Sequence, residues 1–400
     1  MSQGLQGAGI LVVGASLAGL RACVVLRELG YDGRLTVVGD EPHLPYDRPP
    51  LSKGFLVNQD EDVRLPLPDG LDIDWRLGRR ARALDLGART VEVDDGTLLP
   101  FAGLVIATGS TARRWPGPTP AVGVHVLRGL DDARALRTAL RRGGRLLVLG
   151  AGFLGSEVAA SAHGAGVPVT VVEPEPQPMR RAVGEAAGAF VAALHRRAGV
   201  DLRTSTTAVS LIGDPTFTGA RLSDGTEVRA GAAVVAVGAA PSTDWLAGSG
   251  LRVAGGVVCD HHARVLLEDG TPAPAVVAAG DVTRWPHPWA PGPGLTLGHW
   301  SHATEQADTA ARSLLRPQIP AVYRPVPSFW SDQYGVRFRS VGLPALADSA
   351  EVRENDPDAR RLDVAYYRQG RLVGAFTANR VGRTAAYRAR LATELHELAG

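Results

Sequence analysis

Hydrophobic and polar positions fall into short runs separated by glycine-rich turns, and one pattern occurs twice. Ile10–Val13 is a fully apolar run, as a strand buried on both faces shows. It leads into Gly14-Ala15-Ser16-Leu17-Ala18-Gly19 and then residues 20–29, whose apolar positions recur at helical spacing and stop at Gly30. Residues 35–38 read as a second strand, ending in Gly39-Asp40-Glu41. The same order returns mid-chain. Strand Leu146–Leu149 is followed by the turn Gly150-Ala151-Gly152-Phe153-Leu154-Gly155, a helix over 157–163, strand Val169–Val172 and then Glu173. The pattern predicts a duplicated strand–turn–helix–strand unit rather than a solenoid.

Three more strand-like runs, 104–109, 234–238 and 276–281, end on small residues, among them Ala107-Thr108-Gly109 and Gly238. The Pro/Gly-rich stretch 285–294 reads as an exposed loop. Beyond about residue 322 the texture changes: alternation over 362–367 predicts antiparallel strands, and 385–398 a closing helix. A separate α+β unit is expected there.

Composition narrows the possibilities. The 400 residues, 45% of them hydrophobic, suit two or three domains with buried sheets. A formal charge of +2 and arginines scattered in pairs imply neither a nucleic-acid nor a membrane partner. Cys23 and Cys259 form no CxxC motif, so neither a disulfide framework nor a metal site follows. Residues 1–9 lack the pattern of a leader and no apolar run is long enough to span a bilayer, so a cytoplasmic location is expected. Lys53 is the only lysine. Where arginine serves everywhere else, a single lysine points to a position needing a compact ammonium.

Gly150-x-Gly152-x-x-Gly155 between a strand and a helix is the strongest single motif. Its glycines permit the tight turn, close approach to a pyrophosphate, and helix–strand packing, and the helix N-terminus favours phosphate. Glu173, ending the next strand, is placed to accept hydrogen bonds from an adenosine ribose, and it favours NADH because a carboxylate repels a 2′-phosphate. Arg180 and Arg181 oppose that preference but lie late in sequence for the purpose. The first copy carries Ser16 at the middle glycine position, with Asp40 and Glu41 where the ribose acid belongs. Two dinucleotide sites in one chain imply a nicotinamide and a flavin, because hydride must pass between two rings.

These residues resemble the ferredoxin reductases of oxygenase and cytochrome P450 systems, over nearly the whole length. The resemblance rests on Tyr46-Asp47-Arg48-Pro49-Pro50-Leu51-Ser52-Lys53, Ala107-Thr108-Gly109, Gly155-Ser156-Glu157-Val158, Ala279-Gly280-Asp281-Val282 and Phe329-Trp330-Ser331-Asp332-Gln333-Tyr334. It implies an α/β fold with two Rossmann-like units of the glutathione-reductase-like kind and a C-terminal α+β domain. FAD would occupy residues 1–112 with 241–322, NADH residues 113–240, and residues 323–400 would form the third domain. Lys53 would sit at the flavin edge, paired with Glu157. Asp281 would bind the ribityl chain, and Ala18, Asp40, Ala81, Arg48 and Arg128 would line the rest of the FAD site, with Trp300 by the ring. The partner implied is a small iron–sulfur ferredoxin, and the chain a monomer or weak homodimer.

Plainer roles remain open at several positions. Lys53 fits an exposed loop, Glu157 an early-helix acid, Asp281 a cap for a following helix, and Trp300 and Trp330 core aromatics. Members of the family carry Arg-x-Glu before His-Trp, whereas this chain has Thr296 and Gly298, and Glu305-Gln306 is followed by Ala307-Asp308 rather than basic residues. Those departures keep alive an FAD/NADH oxidoreductase acting directly on oxygen, a quinone or a small molecule. A non-enzymatic nucleotide-sensing role is the third reading. A redox-active disulfide is excluded, since Ser52 and Lys53 stand where thiols are needed.

Overall fold

A computed structural model describes residues 7–58 and 61–397. Residues 1–6, read above as part of a leaderless N-terminus, and Leu398 of the expected closing helix lie outside the described residues.

The first apolar run, Ile10–Val13, lies inside a six-stranded sheet, parallel to Leu35–Gly39 on one side and Gly103–Ile106 on the other. The sheet extends to Ile73–Leu77 at one edge, and through Pro272–Ala278 to Arg264–Leu266 at the other. Distant parts of the chain therefore share one sheet. Its inner strands are buried on both faces, which explains their unbroken apolar runs. Helix Leu17–Glu28 covers one face together with Trp300–Leu315. Their contact is built from small residues, including Ala18, Ala303, Ala307, Ala310 and Ala311.

The second copy forms its own five-stranded parallel sheet, in the order Asp201–Arg203, Val169–Val172, Leu146–Leu149, Ala232–Val235, Val124–His125. Where the chain enters and leaves this unit, Ser110–Ala112 pairs antiparallel with Ala239–Pro241. The third unit is an antiparallel sheet of five strands, ordered Ser328–Gln333, Val336–Gly342, Arg371–Ala378, Arg361–Arg368, Ser349–Asp356. Helix Val381–Glu397 seals it by burying Tyr387, Leu391 and Leu395 against Val341, Leu372 and Ala375. The fold is α/β with two Rossmann-like units and a C-terminal α+β unit.

Both dinucleotide helices start earlier than their periodicity indicates, at Leu17 and Phe153, because the last residues of each glycine turn already wind helically. The stretch expected as an exposed loop is instead the strand pair Thr283–His287 and Ala290–Leu295. Trp285-Pro286-His287-Pro288-Trp289 alternates with period two: Trp285, His287 and Trp289 are buried and Pro288 is exposed. Proline content hid that alternation. Asp281 caps no helix, since the strand Thr283–His287 follows it.

Candidate functional site

Each glycine turn is shaped by contacts that a side chain would destroy. At Gly14, φ is +127°, and a Cβ would lie 2.0 Å from the Ala107 carbonyl oxygen. At Gly19 it would lie 1.9 Å from the Gly14 oxygen. The second turn repeats this: at Gly150, with φ +101°, a Cβ would lie 2.6 Å from the Ala236 oxygen, and at Gly155 it would lie 2.0 Å from the Gly150 oxygen. Gly152, by contrast, has nothing within 4 Å of its Cβ position, and neither has Gly238 on the neighbouring strand exit. The turn is thus closed toward its own sheet and open above, as a pyrophosphate requires. Phe153 and Leu154 begin the helix whose N-terminal amides face that opening.

Ser16 replaces a glycine without closing the first turn, because its backbone is extended (φ −126°) and its Oγ accepts a 3.3 Å hydrogen bond from Arg48 Nε. Leu17 and Ala18 start the helix above it. Arg48 also donates to Glu41 Oε1 at 2.6 Å and to the Arg128 carbonyl at 2.8 Å. Tyr46 donates to the other Glu41 oxygen and accepts the Leu130 amide at 2.9 Å. Burial pushes the Glu41 carboxyl up, but the Arg48 charge and both hydrogen bonds outweigh it and hold it below the usual carboxylate range. Glu41 therefore braces Arg48 and Tyr46, whereas Asp40 lies more open, 3.8 Å from Arg80. Ala81 opens the adjacent strand Ala81–Asp85.

Asp281 joins the same cluster through Arg128, whose carbonyl accepts Arg48. It accepts Arg128 Nη2 at 2.7 Å and Ser110 Oγ at 3.0 Å. Its turn is fixed from behind, where Gln306 Oε1 accepts the Gly280 amide at 2.9 Å and Thr283 Oγ1 at 2.8 Å. Thr108 Oγ1 donates to the Ser242 carbonyl at 2.8 Å, and Gly109, with φ +66°, brings Arg128 alongside. Nearby His299 is half-buried, and its shielded Nδ1 has no hydrogen-bond partner among the described residues. Burial holds its imidazole down to about 4, so it stays neutral at physiological pH.

All three units converge on Lys53. Its Nζ donates to Glu157 Oε2 at 2.8 Å and to the Pro49 carbonyl at 3.1 Å. Glu157, 6% exposed on helix Phe153–Gly164, also accepts Ser52 Oγ at 2.5 Å and, on its other oxygen, Ser331 Oγ of the C-terminal sheet at 2.7 Å. Trp300, 39% exposed, donates its indole N–H to Asp47 at 2.9 Å and meets the Trp330 ring edge-on at 6.1 Å.

Glu173 is buried at the end of its strand, accepting the amides of Ala151 at 2.6 Å and Glu175 at 2.9 Å. Arg180 and Arg181 are not late in space. The chain turns back, placing Arg181 2.6 Å and Arg180 4.0 Å from Glu175. Glu175, Tyr46, Ser52, Ser110, Gln306 and Ser331 escaped a residue-by-residue reading of the sequence. Tyr46, Ser52 and Ser331 lie within the stretches that carry the resemblance, so their signal was present without an assigned role. Gln306 entered only as part of the Glu305-Gln306 pair, and Glu175 and Ser110 had no signal.

The two turns and their surroundings fit FAD and a nicotinamide dinucleotide: closed glycine turns, open space above Gly152, an Arg-braced serine, and an acid–arginine pair. These features define a flavin-dependent pyridine-nucleotide oxidoreductase. Residues 8–307 match the family model described as pyridine nucleotide-disulphide oxidoreductase, and residues 328–397 match the reductase C-terminal model; the chain belongs to this family. Rhodocoxin reductase of Rhodococcus erythropolis is 35% identical over 393 residues, 96% of this chain and 90% of that protein. The ferredoxin–NAD(+) reductase component of the anthranilate 1,2-dioxygenase system of Burkholderia cepacia is 36% identical, over 92% of this chain and 90% of its own length. Among solved structures, the covalent putidaredoxin reductase–putidaredoxin complex superposes with a TM-score of 0.87 at 29% identity, covering 95% of this chain and 93% of the other.

The family name includes a disulphide that this chain does not use. Cys23 and Cys259 are free and buried, and burial raises both thiols, Cys23 to about 12, so neither forms a thiolate at neutral pH.

Proposed function

We propose that this protein is an NADH-dependent ferredoxin reductase, feeding single electrons to a small iron–sulfur ferredoxin that serves an oxygenase or cytochrome P450. The observation that carries the reading is the Lys53–Glu157 pair, standing where the two dinucleotide units meet, in a chain with no thiol at that place. The similarity to rhodocoxin reductase and to a dioxygenase reductase component, and to a reductase solved with its putidaredoxin, supports the acceptor class.

In this reading residues 1–112 with 241–322 hold FAD, residues 113–240 hold NADH, and residues 323–400 form the third domain. Bound together, NADH supplies an electron pair as hydride and FAD converts it to single-electron steps. The chain's own residues bind, orient and neutralise. The Lys53 ammonium is fixed by Glu157 and Pro49, while its third N–H has only a 3.5 Å contact to Ser52, leaving positive charge free to counter negative charge at the ring. Asp281 with Arg128 would hold the ribityl chain, and Ser16 with Arg48 the pyrophosphate. Glu173 and Glu175 favour NADH, Glu175 also occupying Arg181. The exposed Trp300 marks the apolar edge where electrons leave.

A second reading, direct reduction of oxygen, a quinone or another small molecule, has one observation in its favour. Gly298 places no side chain beside Asp281, although a Cβ there would already touch the Asp281 carboxylate at 3.6 Å. Stopped-flow reoxidation decides between them: NADH-reduced protein is mixed anaerobically with a small ferredoxin, or with oxygen alone. Reoxidation by ferredoxin much faster than by oxygen is expected; the reverse order favours the second reading.

A further inference from the structure

The Lys53–Glu157 pair is assembled from the two dinucleotide units, but it is completed by the third. We propose that Ser331, backed by Gln333, is a positioning residue for Lys53, acting through Glu157. The inference rests on the reading above that Lys53 faces the flavin.

Strand Ser328–Gln333 alternates its contacts. Phe329 meets the Phe153 ring at 4.4 Å and His299 at 4.9 Å, while Trp330 lies against exposed Trp300. Ser331 is fully buried, and its Oγ donates to Glu157 Oε1 at 2.7 Å. Gln333, also buried, donates Nε2 to Ser331 Oγ at 3.0 Å. That donation leaves Ser331 one proton and a single direction in which to give it, toward Glu157. The two carboxylate oxygens are therefore divided: Oε2 serves Ser52 and Lys53, and Oε1 serves Ser331 alone. A buried carboxylate with an unmatched oxygen is costly, and without Ser331 it would rotate or admit water, loosening its hold on Nζ. This explains why serine and glutamine occupy the inward positions of a strand whose neighbours on the sheet bury apolar side chains.

The single lysine makes the idea directly measurable. FAD-loaded protein grown with [ε-13C]lysine gives one lysine resonance, and amine labelling followed by peptide mass analysis reads that side chain alone. In Ser331→Ala the resonance should move toward that of a solvated lysine, and Lys53 should label about tenfold faster. NADH-driven loss of flavin absorbance should slow about tenfold with KM for NADH unchanged, and Ser331→Thr should restore all three. In a Glu157→Gln background Ser331→Ala should add nothing further. Gln333→Leu should shift the resonance the same way but less, and it serves should Ser331→Ala not fold. An unmoved resonance and unchanged labelling in both variants overturn the proposal, as does an equal slowing in the Glu157→Gln background. A paired lysine signal in a protein that cannot reduce ferredoxin would instead overturn the acceptor assignment and leave this inference standing.

Discussion

On the proposed reading Lys53 carries the key charge: its ammonium donates to Glu157, which in turn accepts Ser331 of the C-terminal sheet. Lys53→Met removes the charge and keeps the length. Anaerobic flavin reduction by NADH should fall on the order of 100-fold, with unchanged reduction kinetics removing Lys53 from the mechanism. At the coenzyme edge, Glu175→Ala should free Arg181 and narrow the preference for NADH over NADPH about tenfold in kcat/KM, one ion pair's worth of steering; an unaltered ratio would show that Glu173 alone sets it. Residue identity was readable where rarity or motif singled a position out, as for the only lysine or the glycines. It failed where one residue's role depends on a partner far away in the chain. Ser331 and Glu157 are 174 residues apart, and nothing local in a serine within a strand announces that bond. Glu41, at the ribose-acid position, is engaged by Arg48 and Tyr46, partners close in sequence whose bonds depend on how the loop between them folds.

The glycine turns and the strand Ser328–Gln333 are the elements that build the site. Gly155→Ala would drive a methyl into the Gly150 carbonyl, backbone against backbone with nothing flexible to give way. KM for NADH should rise at least tenfold, by analogy with the loss of one good positioning contact, with about one FAD still bound per chain. Loss of FAD with normal KM would mean that the two turns are misassigned. Both turns and their sheets were readable because strand, turn and helix each obey a local rule and occur twice. Thr283–His287 was not, because its period-two alternation is carried by tryptophan and histidine interleaved with proline, which by composition reads as loop. The return of Pro272–Ala278 to the first sheet was not derivable from periodicity either, since register between remote strands is set by tertiary packing.

At the scale of the whole molecule, several enclosed histidines are held neutral. Burial lowers His302 to about 3 and His195 to about 4, the latter helped by the Arg196 charge, and His299 behaves likewise. Each binds fewer protons folded than unfolded below the ordinary histidine value of 6.5, so their contribution is intact above it and lost as pH falls toward about 4. Three such protons correspond to roughly 4 kcal/mol per pH unit. Calorimetry should show Tm nearly level above about pH 7 and dropping steeply between about pH 6 and 4.5; a level Tm across that range would contradict the buried neutral state. No described helix is long and apolar enough to cross a membrane. The central claim is that electrons taken from NADH leave through a ferredoxin. The most direct test is steady-state cytochrome c reduction by the purified yellow protein, with NADH, in the presence and absence of a small ferredoxin. The account predicts slow reduction without ferredoxin and strong, saturable stimulation with it; rapid NADH oxidation that ferredoxin leaves unchanged would contradict it.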